Sequence, residues 1–400
     1  MPILPTLNTL KDFFPFIDIR YLRTFLGFLY CIFNQRSVNL NRCKTVFQTG
    51  VGDTKLGCQA AYKRLLRFFA MRHACLFCIC IGYLIIFTIS GDMSQCIYLA
   101  LDRTNWQLGD ENKVNINVLM LGIVLPNGCF VPICWELLDK KGNSNQAERS
   151  RLLRFFLKYF GDYLPKQLAN KDFILLADRE FIGKQWFAEL AKHMQFVIRT
   201  RKDDYLHAVA QSLDTTIDRL ATKIAKRVQR DGFFYATITL DNQTYQYVVL
   251  PNKKKNAKDP FVRFITTLTD LKTIAKAYYE RWSIEVFFKK CKSDGFQLED
   301  LNFTQPKKIM IMIAVVGYAY TLTLKQGMME HQKKPIKEQY YAKQDRAYKR
   351  KSIFKLGLEL IIEQLSSVKK LWKIIKVSIK KHSITDYNIL LPKLINNNFT

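Results

Sequence analysis

The sequence predicts an α/β chain: a mixed β-sheet core interrupted by a β-rich insertion, with helical N-terminal and C-terminal regions. Three observations predict it. From about residue 95 to residue 201, short apolar or alternating runs exchange with helical periods, the pattern of strands and helices in turn. Two of those runs, CIYLALD and DFILLAD, end on Asp102 and Asp178. The stretch Ala277–Lys292, AYYERWSIEVFFKKCK, is helical in period and carries a lone carboxylate, Glu285, among cations.

A chain of 400 residues is long enough for two or three domains and a sizeable core. Its charge is the unusual feature. Lys and Arg number 62 against 34 acids, a net +28, and self-repulsion on that scale calls for an acidic partner. A nucleic acid is the simplest one. An anionic membrane surface fits less well, because the cations are spread through most of the chain. The cysteines of CLFCIC, Cys75, Cys78 and Cys80, have no matching ligand pair further on, so a zinc site is not expected. Free thiols in a reducing cytoplasm are the expectation. The first residues lack a basic-then-apolar leader pattern. The apolar run Cys75–Ile89 is shorter than the ~20 residues that span a bilayer, so it reads as a buried helix and no membrane partner is expected.

In chain order, residues up to about 92 read as short helices separated by turns. Tyr21–Phe33, Val38–Phe47 and Cys58–Phe69 carry the helical period, with a Gly-rich turn, TGVGDTKLG, before the last. In CQAAYKRLLRFF the residues Tyr62, Leu65, Leu66 and Phe69 share one face, with Arg64 and Arg67 beside it. That suits a helical DNA-binding module; a plain bundle with a solvated arginine face fits the same residues.

The strand at CIYLALD is read as ending at Asp102, followed by a polar turn, RTNWQLGDENK. Val114–Leu125 and Cys129–Leu138 then form a hairpin around Pro-Asn-Gly. A helix from about Ala147 to Phe160 precedes DFILLAD, whose continuous apolar run marks a strand buried on both faces. A helix at about Gly183–Lys192 and strand QFVIR complete the set. Three antiparallel strands, helix, strand, helix, strand is the ribonuclease H-like order, with Asp102 and Asp178 at the ends of its first and fourth strands. Either aspartate alone is an ordinary strand-end or cap residue. Two at equivalent ends of one sheet repel unless a cation joins them.

Residues 202–261 interrupt this core. GFFYATITL and QTYQYVVL flank Asp241–Asn242 as a hairpin, and a basic loop carries Lys253, Lys254 and Lys255. Phe233, Phe234, Tyr235, Tyr245 and Tyr247 lie in the hairpin, where each either packs its core or stacks an unpaired base. After strand FVRFITTL, Thr269 and Asp270 can cap the next helix. In that helix Tyr278, Arg281, Glu285 and Lys292 fall within about a 60° arc. Ala277, Ile284, Phe287, Phe288 and Cys291 form the adjoining apolar stripe. A carboxylate ringed by two cations and a phenol suits a phosphate beside a metal ion; a solvated face with weak ion pairs has the same spacing. Ile309–Leu324 is an apolar helix expected on the sheet, and the basic tail holds amphipathic Ile353–Leu365 and Val368–Ile379.

Tyr278, Arg281, Glu285 and Lys292, in the pattern Y-x2-R-x3-E-x6-K, resemble the YREK signature of DDE transposases of the insertion sequence 4 family. DRT at Asp102–Thr104 and ADRE at Ala177–Glu180 resemble that family's first two acidic motifs, and FVIRTR and YKRLLRFF are similar to further segments. The likeness runs in order over most of the chain. It implies a bacterial, cytoplasmic transposase, nucleoid-associated through DNA, which cleaves and transfers strands at element ends by cut-and-paste. It implies that Asp102, Asp178 and Glu285 hold two divalent ions, Mg2+ with Mn2+ as substitute. Tyr278, Arg281 and Lys292 would grip a phosphate, double-stranded DNA with the terminal inverted repeats would be the partner, and the complex would be a homodimer. The tryptophan that stacks a flipped base in well-studied members has no counterpart between Arg201 and Arg281, which leaves that task to an aromatic of the hairpin.

The expected division is 1–92 helical DNA-binding, 93–201 and 262–335 as the two parts of the core, 202–261 the insertion, and 336–400 a basic helical region. The rival reading is a transposase-derived DNA-binding protein that no longer cuts. Three acids in matching contexts argue against it, because a pure binder has no use for them. A different nuclease on the same fold is a third reading, and simple cleavage does not call for the phenol and cations around Glu285.

Overall fold

The computed structural model describes residues 6–50, 57–93, 96–108, 114–161, 173–252, 257–301, 303–341 and 346–379. Five helices come first: α1 Thr6–Phe13, α2 Ile19–Gln35, α3 Leu40–Gly50, α4 Cys58–Phe69 and α5 Ala74–Ile89. Helix α5 is apolar all round and buried apart from Cys75, as such composition requires. It lies against α12 (Pro306–Lys333) and β3 (Phe130–Leu137).

One eight-stranded mixed sheet runs through the protein in the order β3-β2-β1-β4-β5-β8-β7-β6. Its strands are β1 Ile97–Leu108, β2 Val114–Val124, β3, β4 Phe173–Ala177, β5 Gln195–Thr200, β6 Phe234–Leu240, β7 Gln243–Pro251 and β8 Phe261–Thr266. The pairs β1–β2 and β2–β3 are antiparallel, and β1–β4 and β4–β5 are parallel. That half has the ribonuclease H-like order. Helices α6 Gln146–Phe156 and α7 Lys184–Ala191 make the crossovers, with a π turn at Leu157–Gly161 after α6.

Two expectations need correction. Strand β1 does not end at Asp102: it pairs with β2 as far as Leu108↔Val114. The residues after Asp102 alternate, with Trp106 and Leu108 buried and Asn105 and Gln107 exposed, which is strand rather than turn chemistry. What does end there is the pairing with β4, at Leu101↔Ala177. The helix read as continuous over Ala277–Lys292 is two helices, α10 Leu271–Glu280 and α11 Trp282–Lys292. The Ser283 hydroxyl takes the Glu280 carbonyl, and the Arg281 N–H turns back to the Tyr278 carbonyl, so the helical ladder breaks at Arg281. The expected cap holds: Asp270 accepts from the Lys272 and Thr273 N–H groups at the start of α10.

The β-rich insertion extends the same sheet. Strand β8 pairs antiparallel with β5, β7 with β8, and β6 with β7. The hairpin turns at Asp241 and Asn242, both at positive φ, the conformation that two-residue hairpins need. Helices α8 Leu206–Ser212 and α9 Ile217–Asp231 pack against this end. On one face, α10 covers a small core of Ile174, Leu176, Val197, Val248 and Phe264. The main core is continuous from Leu10 in the first helices through the sheet to Ile375 near the C-terminal end of the described residues.

Helix α12 is long and apolar enough to cross a membrane by length and composition. Here its apolar surface is buried against α5, β3 and α13 (Ile353–Gln364). Gly327 and Gly357 let α12 and α13 meet backbone to backbone. A Cβ on Gly357 would lie 1.9 Å from the Thr323 carbonyl oxygen. A short hairpin of β9 Glu338–Tyr341 and β10 Arg346–Lys349 precedes α13, and α14 Val368–Ser378 follows it against α2.

Candidate active site

Asp102 and Asp178 follow the last parallel pair, Leu101↔Ala177, so they occupy adjacent positions where β1 and β4 part. Glu285 lies in the first turn of α11, which is anchored by its apolar stripe. Ile284, Phe287, Phe288 and Cys291 are buried, and the Phe287 ring stands 5.2 Å from Phe130 and 4.9 Å from Tyr320. The stripe expected from sequence therefore fixes the face on which Glu285 emerges.

Arg281 joins the acids. Its Nη1 donates to Asp102 Oδ2 at 3.1 Å and its Nη2 to Glu285 Oε1 at 2.5 Å. Its side chain is 5% exposed. Burial alone would lower its pKa, but the charges of Asp102 and Asp178 and the bond to Glu285 outweigh that and raise it. Asp102 is pushed up to about 6, mainly by burial; Arg281 and the Arg103 N–H oppose the shift, and Glu285 and Asp178 add to it. Asp178 keeps a buried Oδ1 with no hydrogen bond, 3.8 Å from Arg199 Nη1.

The donor chemistry, three carboxylates of which Asp178 keeps an orphaned oxygen, is the kind a hard divalent cation takes. Among the described residues no three His, Cys, Asp or Glu side chains stand close enough to form a metal cluster as they lie. The Arg281 guanidinium stands between Asp102 and Glu285 and supplies the positive charge there. The residues fit the ion provided Arg281 yields that place.

The other expected phosphate ligands are distributed unevenly. Tyr278 closes on the site through its hydroxyl, which accepts from Arg199 Nη1 at 3.2 Å, and its ring lies under the Arg281 guanidinium. Lys292 forms no ion pair with the three acids. Its Nζ donates to the Asn105 carbonyl at 2.6 Å, sits 5.2 Å from the centre of the Trp106 ring, and is 3.8 Å from Glu299. Arg64 lies over the Phe47 ring, joining α3 to α4, and Arg67 is exposed, donating to the Lys63 carbonyl. Lys253, Lys254 and Lys255 lie outside the described residues. Of the hairpin aromatics, Phe234, Tyr245 and Tyr247 are core, and Phe233 and Tyr235 are exposed.

Several positions at the site were not singled out from sequence. Arg103, next to Asp102, forms an ion pair with Glu180 at 3.0 Å and also reaches Asn117 and Asn143. Glu180 accepts in turn from the Ser144 N–H, and Arg149 binds the carbonyls of Ser144, Glu180 and Ile182. This network ties the segments that follow both aspartates to the loop before α6. The available signal was position: Arg103 and Glu180 sit one and two residues after the acids. Tyr279, Trp282 and Val286 leave an exposed apolar strip beside Glu285.

Residues 152–322 match the family model of the transposase DDE domain. The match takes in Asp178, Glu285, the insertion and most of α12; Asp102 precedes it. It supports a transposase of the DDE type, a class that acts on DNA and generally uses divalent metal ions. No curated protein matches the chain.

Proposed function

We propose that this chain is a cut-and-paste transposase of the insertion sequence 4 family, cleaving and transferring DNA strands at the terminal inverted repeats of its own element. What supports the reading is that Asp102 and Asp178 follow the last parallel pair of β1 and β4, while Arg281, at the start of α11, bonds both Asp102 and Glu285. Three half-buried acids on separate elements beside one buried arginine have no packing reason to be there, and a DNA-binding protein without chemistry has no need of them.

In this reading Asp102, Asp178 and Glu285 hold two divalent ions, Mg2+ or in its place Mn2+. When bound, such ions activate a water or 3′ hydroxyl and stabilise the leaving oxygen. The chain supplies the rest. The Arg103–Glu180 pair holds the two aspartate-bearing segments in register. Arg281, Arg199 and Tyr278 provide donors beside the acids, suited to a phosphate that arrives between them. Lys292 already spends one of its three donors on the Asn105 carbonyl. The helices of residues 1–92, with Arg64 and Arg67, and the Lys253–Lys255 loop add binding to the duplex. The working form is a homodimer on paired ends in the bacterial cytoplasm.

The test is binding and nicking of a labelled duplex that carries the repeats flanking the gene, beside a shuffled duplex of equal length. The reading expects preference for the repeat and Mg2+-dependent nicking at its end. Equal affinity for both duplexes together with no nicking would overturn it.

A further inference from the structure

Helix α9 is the most strongly two-faced element of the insertion. Leu220, Ile224 and Val228 fall on one side and are buried against the end of the sheet formed by β6 and β7. The opposite side carries Arg219, Lys223, Lys226, Arg227 and Arg230, all exposed, against two acids, Asp218 and Asp231. Thr215, Asp218 and Thr222 lie beside these cations on the same surface. Asp231 neutralises only one end, pairing with Arg227 at 3.6 Å and Arg230 at 2.7 Å. Among the described residues no ion pair forms to Arg219, Lys223 or Lys226.

A solvated helix face normally mixes both signs, which gives it local ion pairs. This one leaves three cations in a row without a carboxylate. The row from Arg219 to Arg230 is about 16 Å long at ~1.5 Å per residue. A duplex carries a charge for every ~1.7 Å of its axis, so a face of this length meets several phosphates. Helix α9 packs on the same sheet whose strands β1 and β4 carry Asp102 and precede Asp178. Four strand spacings separate β4 from β6, roughly 19 Å at ~4.8 Å each.

We propose that the exposed face of α9 is a docking surface for the phosphate backbone of double-stranded DNA, engaging the duplex on the order of 20 Å from the acids. The surface reads charge, not sequence, and it steadies the flank of a duplex whose reacting phosphate lies at Asp102 and Asp178. This inference rests on the proposed transposase reading and adds to it a contact separate from the one expected of Lys253–Lys255.

The test uses the full chain and a labelled duplex. The triple variant R219Q/K223Q/K226Q keeps good helix formers on α9 and removes three charges. Its binding should fall less steeply with salt: the slope of log affinity against log salt should shrink by about 2.7, at ~0.9 per phosphate contact. In the unaltered protein, the duplex should protect Lys223 and Lys226 from acetylation, read by mass spectrometry, which keeps the test valid if the variant folds poorly. An unchanged slope in a folded variant, or full acetylation of both lysines in the saturated complex, would overturn the proposal. Loss of binding to phosphatidylglycerol vesicles with the duplex slope unchanged would overturn it in favour of a membrane surface. If the parent protein binds and nicks the duplex while α9 proves indifferent, only this inference falls; if the parent binds no duplex, both fall.

Discussion

Replacing Asp102 by Asn should stabilise the metal-free protein above neutrality while removing an acid from the site. Burial lifts this carboxyl from an ordinary 3.8 to about 6, although Arg281 and the Arg103 N–H favour its charged form. Between those two values the folded state holds a proton that the unfolded chain has released, so stability falls as the pH rises. The contribution is full below pH 4 and is lost as the pH passes 6. At ~1.36 kcal/mol per pH unit, the ionised carboxylate disfavours folding by ~3 kcal/mol at pH 8 and by ~1 kcal/mol at pH 4.5. Asn keeps the shape and never ionises. The expected result, from urea unfolding followed by circular dichroism in EDTA, is a variant more stable than the parent by up to ~3 kcal/mol at pH 8 and by ~1 kcal/mol at pH 4.5. A variant equally or less stable at pH 8 would refute the argument that burial dominates at this site.

The cation between the acids leads to a metal-dependent expectation. Arg281→Gln should lower stability in EDTA by on the order of 3 kcal/mol, because it leaves buried carboxylates unpaired, and added Mg2+ should raise the variant's melting temperature more than the parent's. Equal responses to Mg2+ would show that the guanidinium and a metal do not share a place. The Arg103–Glu180 ion pair should appear in a double-mutant cycle as a coupling of about 1 kcal/mol or more, since both side chains are largely buried. A coupling below ~0.3 kcal/mol would remove the positioning role assigned to it.

Much of the fold was legible because the periodicities were clean. The β6–β7 hairpin followed from alternation and two turn residues, α4 from a strict helical stripe, and the first strand order from apolar runs broken by turns. The site was legible in part for the same reason: Glu285 emerges where the stripe of Ile284, Phe287 and Cys291 places it. Most of what escaped depended on contacts distant in sequence. Nothing in RTNWQL says that β2 continues beside it, since its polar residues simply face out. The break at Arg281 depends on one serine hydroxyl competing for a carbonyl. Lys292 shares the helical spacing of Glu285, but it is held by Asn105 and Trp106, nearly two hundred residues away in sequence. The insertion was visible as strands, but its union with the catalytic sheet is a matter of pairing between β5 and β8.

The central claim is that Asp102, Asp178 and Glu285 act as one metal-dependent set for DNA cleavage. Glu285→Gln tests it most directly: Gln is nearly the same size, keeps helix propensity and removes the charge that a hard cation needs. Strand nicking of a labelled end fragment in Mg2+ should vanish in this variant, while its affinity for the same fragment in a gel-shift titration stays at or above the parent's. Nicking at the parent's rate would mean that another acid completes the site, and Glu285 would lose its role.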